Sequence, residues 1–257
     1  MSRDPADWLV TPWFFDLAEP LLAEAAPAGA AQSQAVPTDR AAEGMGALHR
    51  PIAAHVAARA AAGRCPVSFA GDCTASIAVL AGLQRAGIDP AIVWVDAHGD
   101  FNTPETSPSQ FLGGMPLAMM TGRGPDWLMR LSGARPVADS RVTLVDARDL
   151  DPEEAVAVAA SAIAHVDLAA LDRVALERPV LLHVDLDVID CHEAPGFAFP
   201  VPGGPTAEAV AAALERLAAR VRIAAVSISA WSPSLDREGT TAAACRRALA
   251  PVAPLAG

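Results

Sequence analysis

The chain predicts an α/β fold: a three-layer sandwich with a mostly parallel central sheet between two layers of helices. Three observations carry this. Runs rich in Val, Ile and Leu alternate with Ala/Leu/Arg stretches of helical period. The strand-like runs are apolar at consecutive positions, the pattern of strands buried on both faces. Acidic and imidazole side chains recur just after those runs, outside the carboxyl ends of strands, where open parallel sheets bind ligands.

The elements follow in order. Residues 9–12 read as a first, short strand, and the Ala/Pro/Gly/Gln segment 25–35 as a loop. A helix is expected over 50–62, a strand over 66–70, and a helix over 74–86 that Gly87 stops. Strands follow at 91–95 and 141–145, then a helix at 152–166 and a strand at 180–184. Thr206, followed by Glu208 and an apolar run, opens a helix over 206–219. The strand 223–228 and the helix 240–250 complete the series. With no internal repeat and no linker, 1–257 reads as one domain. At 257 residues and 52% hydrophobic it can bury one large core.

Composition excludes several functions. A net charge of -11, with Arg246-Arg247 as the only Arg pair, argues against nucleic acid or an anionic membrane surface as partner. Residues 1–12 include Arg3, Asp4 and Asp7 and lack the apolar stretch of a signal peptide, and no run is long enough to span a membrane. The expected location is the cytoplasm, where the four cysteines, without C-x-x-C spacing, would stay reduced. The chain has no Lys and no Tyr, which removes Schiff-base chemistry, a phosphate-loop lysine and Tyr acid–base pairs. No Gly-x-Gly-x-x-Gly supports a dinucleotide.

What remains is metal chemistry. In Val95-Asp96-Ala97-His98-Gly99-Asp100, three metal-capable side chains stand at alternate positions after an apolar run. Residues two apart in extended chain share a side, so Asp96, His98 and Asp100 can converge on one point. Asp185 and Asp187 repeat the pattern after the run 180–184. Four carboxylates and an imidazole at strand ends suit a divalent first-row metal, and burying them without a cation would be prohibitive.

At these residues the sequence resembles the ureohydrolases, the family of arginase and agmatinase. The resemblance rests on Ala70-Gly71-Asp72-Cys73-Thr74-Ala75-Ser76, on the block 96–116 with its Asn102-Thr103-Pro104-Glu105-Thr106, and on 183–204 with its Ala194-Pro195-Gly196 turn. It implies an arginase-like fold and Mn2+, one or two ions per chain. Asp96 and Asp185 would bridge the ions, with His98 and Asp187 on one side and Asp100 and Cys73 on the other. A metal-bound hydroxide, oriented by Asp100, would be the nucleophile. Asn102, Ser107, Ser109 and Asp151 match positions that hold the amino-acid end of a small-molecule substrate, although turns favour such residues for local reasons too. The resemblance also implies a homo-oligomer, a trimer or hexamer.

Three positions depart from the family pattern. Cys73 stands where the family has a histidine ligand, and a soft thiolate suits an oxygen-rich manganese site poorly. Gly113 replaces a proton-transferring His. Ala230 replaces the Glu that grips a guanidinium, and Trp231 beside it is expected to close the gap with an apolar wall. Cys73, the Gly113-Gly114 pair and the block around Asn102 are similar to a branch that hydrolyses Nω-hydroxyarginine, but that branch keeps the Glu. The expected function is metal-dependent hydrolysis of a C–N bond in a linear amidine, a substituted guanidine of amino-acid type, with ordinary arginase activity not expected. The alternative is a non-catalytic metal-binding homologue serving as a partner or regulatory subunit. His183 is read as a hydrogen-bonded core residue and His192 as a loop residue near the site.

Overall fold

The computed structural model describes residues 4–256; Met1, Ser2, Arg3 and Gly257, the ends of the expected domain, lie outside them. The chain begins with β1 (Trp8–Thr11), a two-stranded ribbon of β2 (Trp13–Phe14) and β3 (Leu17–Ala18), α1 (Leu22–Ala25) and β4 (Ala31–Gln32). It continues through α2 (Ala42–Ala61), β5 (Val67–Ala70), α3 (Ala75–Arg85) and β6 (Ala91–His98). Two short helices, α4 (Pro116–Met120) and α5 (Trp127–Ser132), precede β7 (Val142–Asp149), α6 (Pro152–Ala160) and β8 (Ala164–Val166). The last elements are β9 (Val180–Asp185), α7 (Ala207–Arg220), β10 (Ile223–Ser229) and α8 (Thr240–Leu249).

Eight strands form one sheet in the order β4-β1-β5-β10-β9-β6-β7-β8, and every pairing in it is parallel. The expected double burial is visible along β6. Ile92 and Trp94 pack in one core with Ile52 and Val56 of α2 and Leu80 of α3. Val93 and Val95 pack in the other, with Leu214 of α7 and Leu249 of α8. Asp96, two beyond Trp94, and His183, two beyond Leu181, therefore leave the sheet on the α2/α3 side. No helix among the described residues is long and apolar enough to cross a membrane, and no disulfide links the four cysteines.

Local chemistry accounts for the boundaries. Thr206 Oγ accepts from the Ala209 amide at 3.2 Å and caps α7. Gly87 takes φ +78 after α3, the left-handed turn that a Cβ disfavours. Three expectations are corrected. The helix expected over 152–166 stops at Ala160, where Ser161 Oγ donates to the Val158 carbonyl at 2.7 Å and accepts from the Ile163 amide at 3.1 Å. This turns 164–166 into the edge strand β8. The helix expected from Arg50 begins at Ala42, with Asp39 Oδ1 accepting from the Ala41 amide at 2.9 Å, and it carries Pro51 inside it. Within the segment expected to be loop, Ala31 and Gln32 pair with Leu9 and Val10 as the opposite edge strand.

Candidate metal centre

The carboxyl ends of β5, β10, β9, β6 and β7 lie side by side, and register sets what they carry. Ser229 pairs with Asp185, Val184 with Val95, and Asp96 with Asp146, so three acids stand in one row across neighbouring strands. Beyond that row the β6/β7 ladder shifts between Asp96 and His98. The extra residue is absorbed by Asp146 (φ +71) and Ala147 (φ +46) in left-handed conformations. Arg148 holds this bulge: it pairs with Asp146 at 2.5 Å and donates to the Val188 and Val201 carbonyls at 3.1 and 2.9 Å. Those carbonyls belong to the chain beyond β9, so one partly buried guanidinium sets both ligand-bearing segments.

Two tight groupings result. Asp96, His98 and Asp187 form one; Cys73, Asp96, His183 and Asp185 form the other, and within each the candidate ligand atoms lie within 4.8 Å of one another. His98 Nδ1 is 3.2 Å from Asp187 Oδ2 and 3.5 Å from Asp96 Oδ1, and its Nε2 faces Asp149 at 3.9 Å. Asp96 accepts from the His98 amide at 2.7 Å and from the Trp94 indole at 3.0 Å. Asp185 accepts from the Asp187 amide at 2.9 Å and from the Cys73 thiol at 3.0 Å, and the thiol sulfur accepts from Ser229 Oγ at 3.3 Å. Asp100 belongs to neither grouping. It sits just past β6 at φ +48, buried, with Oδ2 lacking a hydrogen-bond partner.

The electrostatics call for a cation. Burial, with Asp96 and neighbouring acids adding to it, pushes Asp100 and Asp185 well above the ordinary carboxylate range, and Asp187 upwards too. Asp96 is held below that range mainly because His98, against the burial cost, bonds and neutralises it, with His183 adding to the effect. Burial works against His98 as well, yet Asp187 and Asp96 push it up to about 12. The proton on His98 thus does part of what a metal ion would do, and binding an ion there would release it. An oxygen-rich set with one imidazole, and an orphaned carboxylate oxygen on Asp100, fits a divalent cation.

A cleft of about 480 Å3 opens over both groupings, and Asn102, Ser107, Ser109 and Asp151 line it as expected. Asn102 is held at both ends: its amide donates to Asp151 at 3.0 Å and accepts from Thr106 at 2.9 Å. Ser107 and Ser109 accept from the Gln110 and Phe111 amides at 3.0 and 3.2 Å. Gly113 and Ala230 also line the cleft, Ala230 at φ +61 just past β10. The Gly113 vacancy is filled: a Cβ there would lie 2.4 Å from the Phe111 ring. The wall expected from Trp231 is elsewhere. Trp231 is buried against Phe69, ring centroids 6.2 Å apart, and the apolar wall of the cleft is Phe14, Phe111 and Phe199.

Sequence reasoning missed those phenylalanines, which stand in no recognisable pattern. It missed Glu154 too, although Asp151-Pro152-Glu153-Glu154 has the spacing of a capping box. Glu154 accepts from the Asp151 and Phe101 amides at 3.2 and 2.8 Å, joining the start of α6 to the chain after β6, and burial pushes it up to about 7. His183 departs from a fully satisfied core residue: Nδ1 bonds Ser76, but the buried Nε2 has no partner. His192 is exposed, bonds Asp190 at 2.8 Å, and does not line the cleft.

The model of the arginase family matches residues 23–252. Arginase from Bacillus caldovelox is 34% identical over 195 residues, covering 70% of this chain and 65% of that protein. Arginase from Brevibacillus brevis is 33% identical over 196 residues, covering 70% and 66%. The matched stretch thus spans slightly less than two thirds of these curated relatives. The crystal structure of arginase from Bacillus cereus superposes with a TM-score of 0.81 at 27% identity, over 95% of this chain and 96% of that one.

Proposed function

Because the chain belongs to the arginase family, we propose that it is a metal-dependent amidinohydrolase, cleaving a C–N bond of a linear amidine. The substrate class is a substituted guanidine on an amino-acid-like skeleton. The observation that carries this reading is the convergence of Asp96, His98, Asp185 and Asp187, with Asp100 beside them, at the floor of one cleft. Asp96 and Asp185 would be shared between two ions, His98 and Asp187 would complete one position, and Cys73 and Asp100 the other. When bound, the ions, manganese in our assignment, supply Lewis acidity that brings the pKa of water towards neutrality.

The chain's own residues supply the rest. Asp100 Oδ2, buried and without a partner, is suited to take a proton from the attacking water and return it to the departing nitrogen. Water's oxygen forms the new bond to the amidine carbon, and the C–N bond breaks with its electron pair on nitrogen. Gly113 offers no relay, so Asp100 carries both transfers. Asn102, Ser107, Ser109 and Asp151 would fix the amino-acid end, and Phe14, Phe111 and Phe199 limit water access. Ala230 presents no carboxylate to a guanidinium, which disfavours plain arginine and leaves room for a substituted head group. By family likeness we assign a homo-oligomer in the cytoplasm, trimeric or hexameric.

The non-catalytic reading draws on Gly113 and Ala230. Asp100 counts against it, because its unpartnered Oδ2 is free for proton transfer, which a purely structural ion site does not use. The deciding experiment loads the protein with Mn2+ and measures urea, substituted urea and ammonia release across a panel of guanidines and amidines. Metal-dependent release from at least one compound, lost in Asp100→Asn, is expected. No release from any compound under saturating metal would refute the hydrolase reading in favour of the non-catalytic one.

A further inference from the structure

We infer that His183 is a metal ligand in this chain, making the ion position at Cys73 a mixed sulfur–nitrogen–oxygen site that takes zinc in preference to manganese. The inference rests on the metal-binding part of the function proposed above and not on hydrolysis. His183 stands on β9 two residues before Asp185, on the same face. One of its ring nitrogens, the Cys73 sulfur and one oxygen each of Asp96 and Asp185 lie within 4.8 Å of one another. Donors that share an ion at roughly 2.0–2.3 Å lie within about 4.6 Å of one another, so the four need only a slight contraction.

The hydrogen bonds determine which nitrogen is available. Ser76 Oγ donates its single proton to Ser227 Oγ at 2.8 Å. Its 2.8 Å contact with His183 Nδ1 must then be donated by the ring. The proton therefore sits on Nδ1, and Nε2 keeps a bare lone pair. That atom is buried, has no hydrogen-bond partner, and belongs to a fully buried side chain. Trp94 stacks on the ring with centroids 3.6 Å apart and donates its indole N–H to Asp96, which fixes the imidazole plane. A ligand histidine whose second nitrogen donates to a fixed acceptor is the usual outer-shell arrangement of metal sites. An unpartnered buried acceptor is destabilising unless something fills it, and among acids and a thiol the natural occupant is a cation.

The donor set then selects the ion. Asp96, His98 and Asp187 are oxygen-rich and suit manganese; Cys73, His183, Asp96 and Asp185 bring a thiolate and an imidazole, which favour the softer zinc ion.

The test equilibrates the protein with equal concentrations of Mn2+ and Zn2+, removes loosely held metal, and combines elemental analysis with zinc-edge X-ray absorption. The expected result is zinc on the unmodified protein, with sulfur and imidazole scatterers around it. In His183→Ser the zinc should fall, its affinity weakening by more than the roughly tenfold to hundredfold that loss of an outer-shell partner brings, while manganese is retained. Zinc with an all-oxygen shell, or zinc content unmoved by His183→Ser, overturns the assignment. The absorption spectrum of the unmodified protein decides even if the variant fails to fold. A protein that binds metal without His183 loses only this inference; a protein that binds no metal loses the proposed function as well.

Discussion

Replacing Cys73 by histidine isolates the consequence of the thiol at that position. Burial, then the charges of Asp100, Asp185 and Asp96, push the Cys73 thiol well above its ordinary value of 9.0. A thiol binds a metal ion as thiolate, so the proton must leave first. Even at 9.0 the deficit at pH 7 is about two units, which at about 1.36 kcal/mol per unit is at least about 2.7 kcal/mol, or a factor of about 100 in apparent affinity. The affinity should climb about tenfold per pH unit as pH rises towards the thiol value. The ordinary value of an imidazole is about 6.5, well below the 9.0 of the thiol, and the same acids raise either group, so most of that difference is recovered. Cys73→His is therefore expected to tighten Mn2+ at this position by about two orders of magnitude near pH 7 and to flatten the pH slope. Chelator-competition titrations near pH 7 and pH 9, with elemental analysis, read both effects. We expect manganese nearer one ion per chain in the unmodified protein and nearer two in the variant. Two tightly held manganese ions in the unmodified protein, with affinity independent of pH, would refute the reasoning.

Other expectations follow from the same geometry. Burial, then Asp96, raises the folded-state value of Asp100 from 3.8, and burial, then Asp187, does the same for Asp185; the folded, metal-free protein therefore binds protons more tightly than the unfolded chain. The stability these acids contribute should be greatest below about pH 4 and fall as pH rises through the folded-state values, with added Mn2+ restoring it; the buried, neutral His49 and His183 act in the opposite sense only up to about pH 6.5, so a metal-free melting temperature that rises between pH 7 and pH 8 would contradict this. Asp96→Ala should lose both ions, because Asp96 belongs to both ligand groupings; full metal content in that variant disproves the ligand assignment. Gly113→His should lower stability by about 1–3 kcal/mol through collision with Phe111, and Phe111→Ser should relieve it; equal melting temperatures for both would show the ring moves freely. Ala230→Glu should lower KM for L-arginine more than it raises kcat. The backbone there is already left-handed, and the carboxylate restores a guanidinium contact without restoring a proton relay. Efficient arginine hydrolysis by the unmodified enzyme would overturn the role given to Ala230.

Much of this protein was legible in one dimension. The parallel sheet followed from apolar runs too continuous for one-sided strands, and the metal-capable residues from acids spaced by two at the ends of those runs; both patterns are written in neighbouring residues. Boundaries were legible where one residue ends its own helix, by a side-chain cap at Thr206 and by a left-handed backbone at Gly87. They were not where the deciding contact is local but chemically ambiguous, as at Ser161, or where a helix runs through a proline, as at Pro51. The departures at Cys73, Gly113 and Ala230 were equally visible as letters, but what occupies the vacated space depended on how the folded chain turns the neighbouring side chains. Phe111 fills the position beside Gly113 by folding its own loop back, whereas Trp231, one residue from Ala230, turns into the core against Phe69. His183 illustrates the division best. Its strand and face could be read from the spacing to Asp185, but the bare Nε2 exists only because Ser76 on α3, Ser227 on β10 and Trp94 on β6 meet around one ring. A periodic pattern specifies which side of the sheet a residue faces; the state of its lone pair is set by partners that only the folded chain brings within hydrogen-bonding distance.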